Sequence, residues 1–217
     1  MATKAKLTTK PKHTKIPRSV MVFLPWVLIV CGIVGVLAAG IITHDKLVLA
    51  SNPDYQPACS LDPILSCGNI MTSWQAAAFG DVPNPFIGFV GFSAMIAIGV
   101  GILAGATVKK RWYWLTFNLI TFLAVLFCHW LFYQSVYVIG NLCVYCMAVW
   151  VVTFTSFVYI TLYNIEQGYV SLKQAWWPKF SSFVRRHHVD IIILWALIIF
   201  ALILKHFWYF YGPKLGF

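Results

Sequence analysis

The chain has 217 residues, 60% of them hydrophobic, 17% aromatic and only 10% charged, with a net charge of +10. A soluble domain of this length needs far more polar surface, so the composition excludes one. The basic residues sit in clusters between apolar runs, the positive-inside pattern of a membrane protein whose cations meet anionic head groups. No aromatic or fold motif supports a nucleic-acid role.

Residues 1–18 are polar and Thr-rich, with Lys4, Lys6, Lys10, Lys12, Lys15 and Arg18 among them, and read as a disordered cytoplasmic tail. The apolar run at 20–42 follows this leader as a signal peptide would. It is too long for a signal core and shows no small-residue cleavage site, so it is predicted to be a first transmembrane helix running outward. Residues 43–84 hold one lysine, Lys46, against Asp45, Asp54, Asp62 and Asp81, which places them in an outer loop. Within that loop, 51–57 is turn-rich, and 69–79 is apolar enough for a short interfacial helix with Trp74 at head-group depth.

A second helix is predicted at 85–108, opened by Pro85 and carrying Gly88, Gly91, Ala94 and Gly99 for close helix contact. Lys109, Lys110 and Arg111 separate it from a third helix at 112–137. A brief outer turn at 138–141 leads into a fourth at 142–163. The loop at 164–189, with Lys173, Lys179, Arg185 and Arg186, returns inside before a fifth helix at 191–211 and a short outer tail. The expected architecture is an all-α integral membrane protein with five spans, its N-terminus cytoplasmic and its C-terminus outside. It divides into a tail (1–18), a bundle (19–163), a basic loop (164–189) and a fifth helix with its tail (190–217).

This topology brings four of the six cysteines to one side. Cys59 and Cys67 lie in the outer loop, and Cys143 and Cys146 stand at the outer end of the fourth helix. Outside the cytoplasm thiols meet an oxidising compartment, where paired cysteines become disulfides. Cys59 and Cys67 close a small loop around Pro63 that a disulfide can span, and by themselves could form a static brace. The C-x-x-C pair shifts that balance. Three residues of separation put both sulfurs on one helix face, and a helix N-terminus favours the reactive thiolate. Together the pairs read as a thiol–disulfide relay passing through a mixed disulfide between loop and helix. A tetrahedral zinc site is the weaker reading, because the oxidising side disfavours four stable thiols. Cys31 and Cys128, inside apolar runs, read as packing residues.

Several stretches resemble the vitamin K epoxide reductase family over about residues 20–163. They are Cys-Ser-Leu-Asp-Pro-Ile-Leu-Ser-Cys-Gly at 59–68, Ser73, Phe79-Gly80, Pro-Asn-Pro at 83–85 and the C-x-x-C of Cys143 and Cys146. Arg-Trp-Tyr-Trp at 111–114, His129-Trp130, Gln134-Ser135 and Asn-Leu-Cys-Val-Tyr-Cys at 141–146 are most similar to its actinobacterial members. The resemblance implies a four-helix bundle around a quinone of the menaquinone or ubiquinone type, with the C-x-x-C beside the ring. It implies that Cys59 and Cys67 are shuttle cysteines exchanging with a thioredoxin-fold, DsbA-like partner outside the cytoplasm. It further implies that Cys67 forms the inter-pair disulfide with Cys143 and that Cys146 faces the quinone. Ser73 matches a serine near the quinone.

Asn84 aligns with an asparagine that in the vertebrate enzyme bonds a vitamin K carbonyl; capping of the second helix is the competing reading. Trp150 stands where vertebrate enzymes carry a vitamin K-binding tyrosine. It cannot supply that hydroxyl, which weakens epoxide reduction but leaves an indole to pack on a quinone. His129 lies roughly 25 Å along its helix, at the depth of the C-x-x-C. An intramembrane histidine is either functional or bonded to a neighbouring helix.

The expected function is that of a quinone-dependent disulfide oxidoreductase of the bacterial cytoplasmic membrane, with its active site on the outer face. Relatives with a fifth helix often continue into a fused thioredoxin domain; none lies within these 217 residues, so the expected partner is a separate protein. The alternatives are a vitamin K epoxide or quinone reductase driven by a reducing partner, and a small transporter or scaffold with a structural disulfide.

Overall fold

The computed structural model describes residues 19–214 apart from 81, 107, 171–173 and 175; the basic tail at 1–18 and Lys173 fall outside the described residues. Among the described residues, five helices are long and apolar enough to cross a membrane. Helix α1, Ser19–Ser51, begins the bundle. It outruns the expected end at 42 because nothing between 43 and 51 breaks a helix, and it stops where Asn52 precedes Pro53. Its 33 residues span about 50 Å, against a hydrocarbon core of about 30 Å, so the last turns rise past the apolar layer. The acid in those turns is not left bare: Tyr55 donates its hydroxyl to Asp45 at 3.1 Å, and the His44 ring lies 3.2 Å from the same oxygen.

Helix α2, Cys67–Thr72, and a 3₁₀ turn, Trp74–Ala77, follow where one interfacial helix at 69–79 was expected. Ser73, with extended backbone between them, breaks the run. Helix α3, Asn84–Leu103, ends earlier than the expected 108, at a turn through Gly105 with φ +90°. It lies close along α1. A Cβ on Gly99 would stand 2.8 Å from the Pro25 carbonyl oxygen, so only glycine allows that approach. Gly91, by contrast, meets nothing within 4 Å and faces a cavity.

Helix α4, Arg111–Tyr133, relaxes into a π turn, Gln134–Ile139, that ends at left-handed Gly140. Such bulges gather at functional sites, and this one sits beside the cysteines. Helix α5, Val144–Glu166, completes a four-helix bundle with α1, α3 and α4. Its core packs Leu24, Leu28, Cys31, Phe92, Met95, Trp114, Val152 and Ile160. Asn164, fully buried near the end of α5, donates its amide to Trp114 O and Ile160 O, tying that end to the start of α4.

The stretch read as a plain basic loop contains helix α6, Trp177–Arg186. Trp176, Phe180 and Phe183 are exposed along one side of it, with Lys179 and Arg186 exposed beside them. A loop reading missed it because the apolar residues are few, although they recur at helical spacing. Helix α7, His188–His206, and the short α8, Trp208–Lys214, replace the single fifth helix expected to run to 211. Phe207, fully buried between them, packs with Ile64, Leu142 and Trp150. α7 and α8 thus back the loop end of the bundle from outside.

Candidate redox site

The loop between α1 and α2 is shaped by its own polar groups. Asp62 Oδ1 accepts the backbone N–H groups of Ile64 and Leu65, both at 2.8 Å, folding a turn around Pro63. Tyr211 of α8 reaches the other carboxylate oxygen at 3.3 Å. The folded turn is then stapled to the start of α5. Leu142 N–H donates to Ile64 O at 2.8 Å, and the Asn141 amide donates to Pro63 O at 2.8 Å while its oxygen accepts from Asn69 at 3.0 Å. Ser135, in the π turn, donates its hydroxyl to the Asn141 carbonyl. Asn141 therefore joins the loop, α2 and the π turn at one point.

These staples set the sulfurs. Cys59 and Cys67 form a disulfide, with Cα atoms 5.8 Å apart. Cys67 opens α2 with its sulfur 3.1 Å from that of Cys143, and both residues are fully buried. The sulfurs of Cys59, Cys67 and Cys143 all lie within 4.8 Å of one another. A thiolate at Cys143 has the Cys59–Cys67 bond in reach; attack on Cys67 forms Cys67–Cys143 and releases Cys59 as the leaving thiolate. The neighbouring Cys146 thiol holds the Cys143 pKa below the ordinary thiol value. The free N–H groups of Tyr145 and Cys146 at the start of α5 help, against burial and the charge of Asp45, which push it up.

Cys143 and Cys146 also stand in the wall of a cavity of about 290 Å³ between α1, α3, α4 and α5, partly covered by α2 and the 3₁₀ turn. Phe92, Phe117, Phe127 and Trp150 contribute aromatic walls. The site thus has two sides: a disulfide loop above the C-x-x-C and an apolar chamber beside it.

The structure distributes the other predicted residues unevenly. Trp150 is buried in the cavity wall, edge-on to Phe132. Asn84 lines the cavity too, but it is the first residue of α3 and caps nothing there. Its amide donates to Gln75 O at 2.6 Å and its oxygen accepts from Ala78 N–H at 3.0 Å, tying the 3₁₀ turn to α3. Ser73 stands outside the cavity wall, its hydroxyl donating to Ile70 O at 2.7 Å. His129 also stands outside it, turned toward α7. Its Nδ1 bonds Val125 O at 2.8 Å, and its Nε2 accepts from Trp195 Nε1 at 2.9 Å. The indole of Trp195 stacks on Phe154 at 4.3 Å.

Sequence reasoning passed over Lys46, Cys128 and the bonded pair Gln75–Gln134, all of which line the cavity. Lys46 had a usable signal. With Ala39 and Ile42 it forms an i, i+3, i+7 stripe, one face of a helix, once α1 is known to continue that far.

The sequence model of the Vitamin K epoxide reductase family matches residues 26–161. The matched segment runs from within α1 to within α5, holds all four site cysteines and leaves α6, α7 and α8 outside it. No curated protein matches the chain.

Proposed function

This chain belongs to the vitamin K epoxide reductase family, whose members are membrane thiol–disulfide oxidoreductases that use quinones, and on that premise we propose that it is a quinone-dependent disulfide-generating enzyme. It reoxidises a thioredoxin-fold, DsbA-like partner on the outer face of a bacterial cytoplasmic membrane. The observation that carries this reading is the 3.1 Å approach of Cys67 to Cys143, with the loop disulfide on one side and the cavity on the other.

The residues present fit a quinone. The cavity is walled by aromatic and aliphatic side chains, and the C-x-x-C sulfurs stand in its wall. A bound quinone supplies a two-electron, two-proton acceptor. Phe92, Phe117, Phe127 and Trp150 would hold its ring and exclude water, while Cys146 would face it.

The chain's own chemistry then runs in three steps. A reduced partner thiolate attacks Cys59, opens Cys59–Cys67, and leaves both as thiols while the partner's disulfide closes. The Cys67 thiolate attacks Cys143 of a Cys143–Cys146 disulfide and forms Cys67–Cys143; Cys59 then attacks Cys67, and the C-x-x-C emerges as a dithiol. Cys143 and Cys146 finally close their disulfide again, giving up two electrons and two protons to the quinone that the cavity would hold. The arrangement observed, a closed Cys59–Cys67 beside free Cys143 and Cys146, corresponds to the form ready for that last step.

The test uses purified protein in detergent, a reduced thioredoxin-fold protein as donor, and short-chain quinone or vitamin K epoxide as parallel acceptors. Quinol formation with wild type, and its loss in Cys146→Ala while the protein remains folded, is the expected result. Full activity in Cys146→Ala would sink the relay, and faster turnover of the epoxide would reassign the acceptor.

A further inference from the structure

The cavity is lined by one residue with a fixed charge among those described. Lys46 lies on the face of α1 that carries Ala39 and Ile42 into the cavity, so its stem points at the chamber rather than at lipid. Its neighbour Asp45 does not neutralise it. That carboxylate is buried elsewhere, held by Tyr55 and flanked by His44. Lys46 makes no hydrogen bond or ion pair with any described residue. The neutral polar groups of the wall are engaged: Gln75 bonds Gln134, Asn84 bonds the loop backbone, and Ser135 and Ser156 donate to backbone carbonyls. Thr153 Oγ1 has no partner but carries no charge. A half-buried cation with no partner, set beside an apolar chamber, is placed to meet negative charge that arises there.

Resting on the quinone reading above, we propose that Lys46 is a catalytic residue whose ammonium group meets a carbonyl oxygen of the acceptor and stabilises the negative charge that grows there. The balance of the step is unchanged. The Cys143–Cys146 bond forms, the two electrons of the dithiol pass to the acceptor, and the two thiol protons end on its two oxygens. Lys46 gives up no proton overall; it lowers the barrier by offering fixed positive charge where the electrons arrive first. The same contact selects ligands that carry an anionic oxygen at the ring.

Two measurements on the detergent-purified full chain test this. The first compares binding of hydroxynaphthoquinone, an anion at neutral pH, with that of menadione, its neutral methyl counterpart. Lys46→Met is expected to weaken the anion by about tenfold and to leave menadione unchanged, whereas Lys46→Arg retains the preference. The second follows quinol formation from menadione after the protein is reduced. Here Lys46→Met is expected to slow the reaction by roughly a hundredfold, with exchange between Cys67 and Cys143, read by thiol trapping, at the wild-type rate. Equal weakening of both ligands, or quinol formation at the wild-type rate, would overturn the role of Lys46. A wild-type protein that binds neither naphthoquinone and forms no quinol would overturn the quinone reading and this proposal with it.

Discussion

The two cysteine pairs are built in opposite ways. Cys59 and Cys67 are eight residues apart, one in a loop and one at the first residue of α2, and the order around them comes from hydrogen bonds reaching in from the turn before α5 and from α8. Cys143 and Cys146 are three apart at the start of a long helix, where backbone geometry alone fixes the spacing. On the proposed function, exchange would be divided between a pair held by remakeable hydrogen bonds and a pair fixed at a helix end beside the cavity. The difference teaches that such a relay would need only one partner set by backbone geometry.

Several substitutions would break or sharpen that contrast. The largest effect is expected for Cys67→Ala. It should cut quinol formation driven by a thioredoxin-fold donor by at least about a thousandfold, while a small dithiol that reaches the uncovered Cys143 still drives it. Comparing the two donors in one spectrophotometric assay checks this, and equal loss with both would remove the division of labour.

Cys59→Ala leaves Cys67 without its disulfide partner, 3.1 Å from Cys143. Peptide mapping under non-reducing conditions should then find Cys67–Cys143 as the dominant disulfide of air-oxidised protein. If Cys143–Cys146 dominated instead, the pairs would not be in contact in solution.

Asn141→Ala removes the bonds to Pro63 and Asn69. Losing these two part-buried hydrogen bonds should cost about 1 kcal/mol or somewhat more and slow Cys67–Cys143 exchange by roughly tenfold. A denaturation midpoint shift and timed thiol trapping read the two effects.

The pH profile sharpens the other side of the comparison. The Cys146 thiol is the main influence lowering the Cys143 pKa, so Cys146→Ala should raise it. Exchange rate rises with pH as the thiolate forms and levels off above the pKa. In the variant the plateau should therefore begin at higher pH, and at any pH below it a smaller fraction of Cys143 is thiolate, so exchange is slower there. Thiol trapping timed across a pH series reads this, and an unmoved profile would show that the helix start alone controls the thiol.

The smallest effect belongs to Trp195→Phe, which touches neither pair. Losing the bond to His129 should cost about 1 kcal/mol in thermal stability and leave quinol formation unaltered. A drop in activity would mean that α7 holds the site as well as the helix.

Much of this was legible in the chain. Apolar runs and basic clusters announced five spans because a bilayer demands length and apolarity that nothing else in a sequence imitates. The C-x-x-C, read at a helix start, does stand there, with Cys143 immediately before α5. The end of α1 was not legible: hydropathy falls at His44 and Asp45, yet the helix continues, with Asp45 held by Tyr55 across the loop and by the neighbouring His44. Helix α6 was hidden by its charge, and its aromatic spacing shows only when the segment is read on a helical wheel. Asn84 and Ser73 line up by motif, but their bonds go to local backbone, which no spacing rule could have told.

By itself, then, the sequence determined the spans and the placing of a C-x-x-C at a helix start, because these follow from local periodicity and composition. The tertiary structure set Cys67 3.1 Å from Cys143, the pair the family resemblance implied, and it alone decided that Lys46 faces the cavity while His129 faces α7. Those outcomes depend on how far one helix runs, how a turn folds around Asp62, and what Asn141 binds. Such contacts join residues far apart in the chain, and their energies exist only once the bundle has closed.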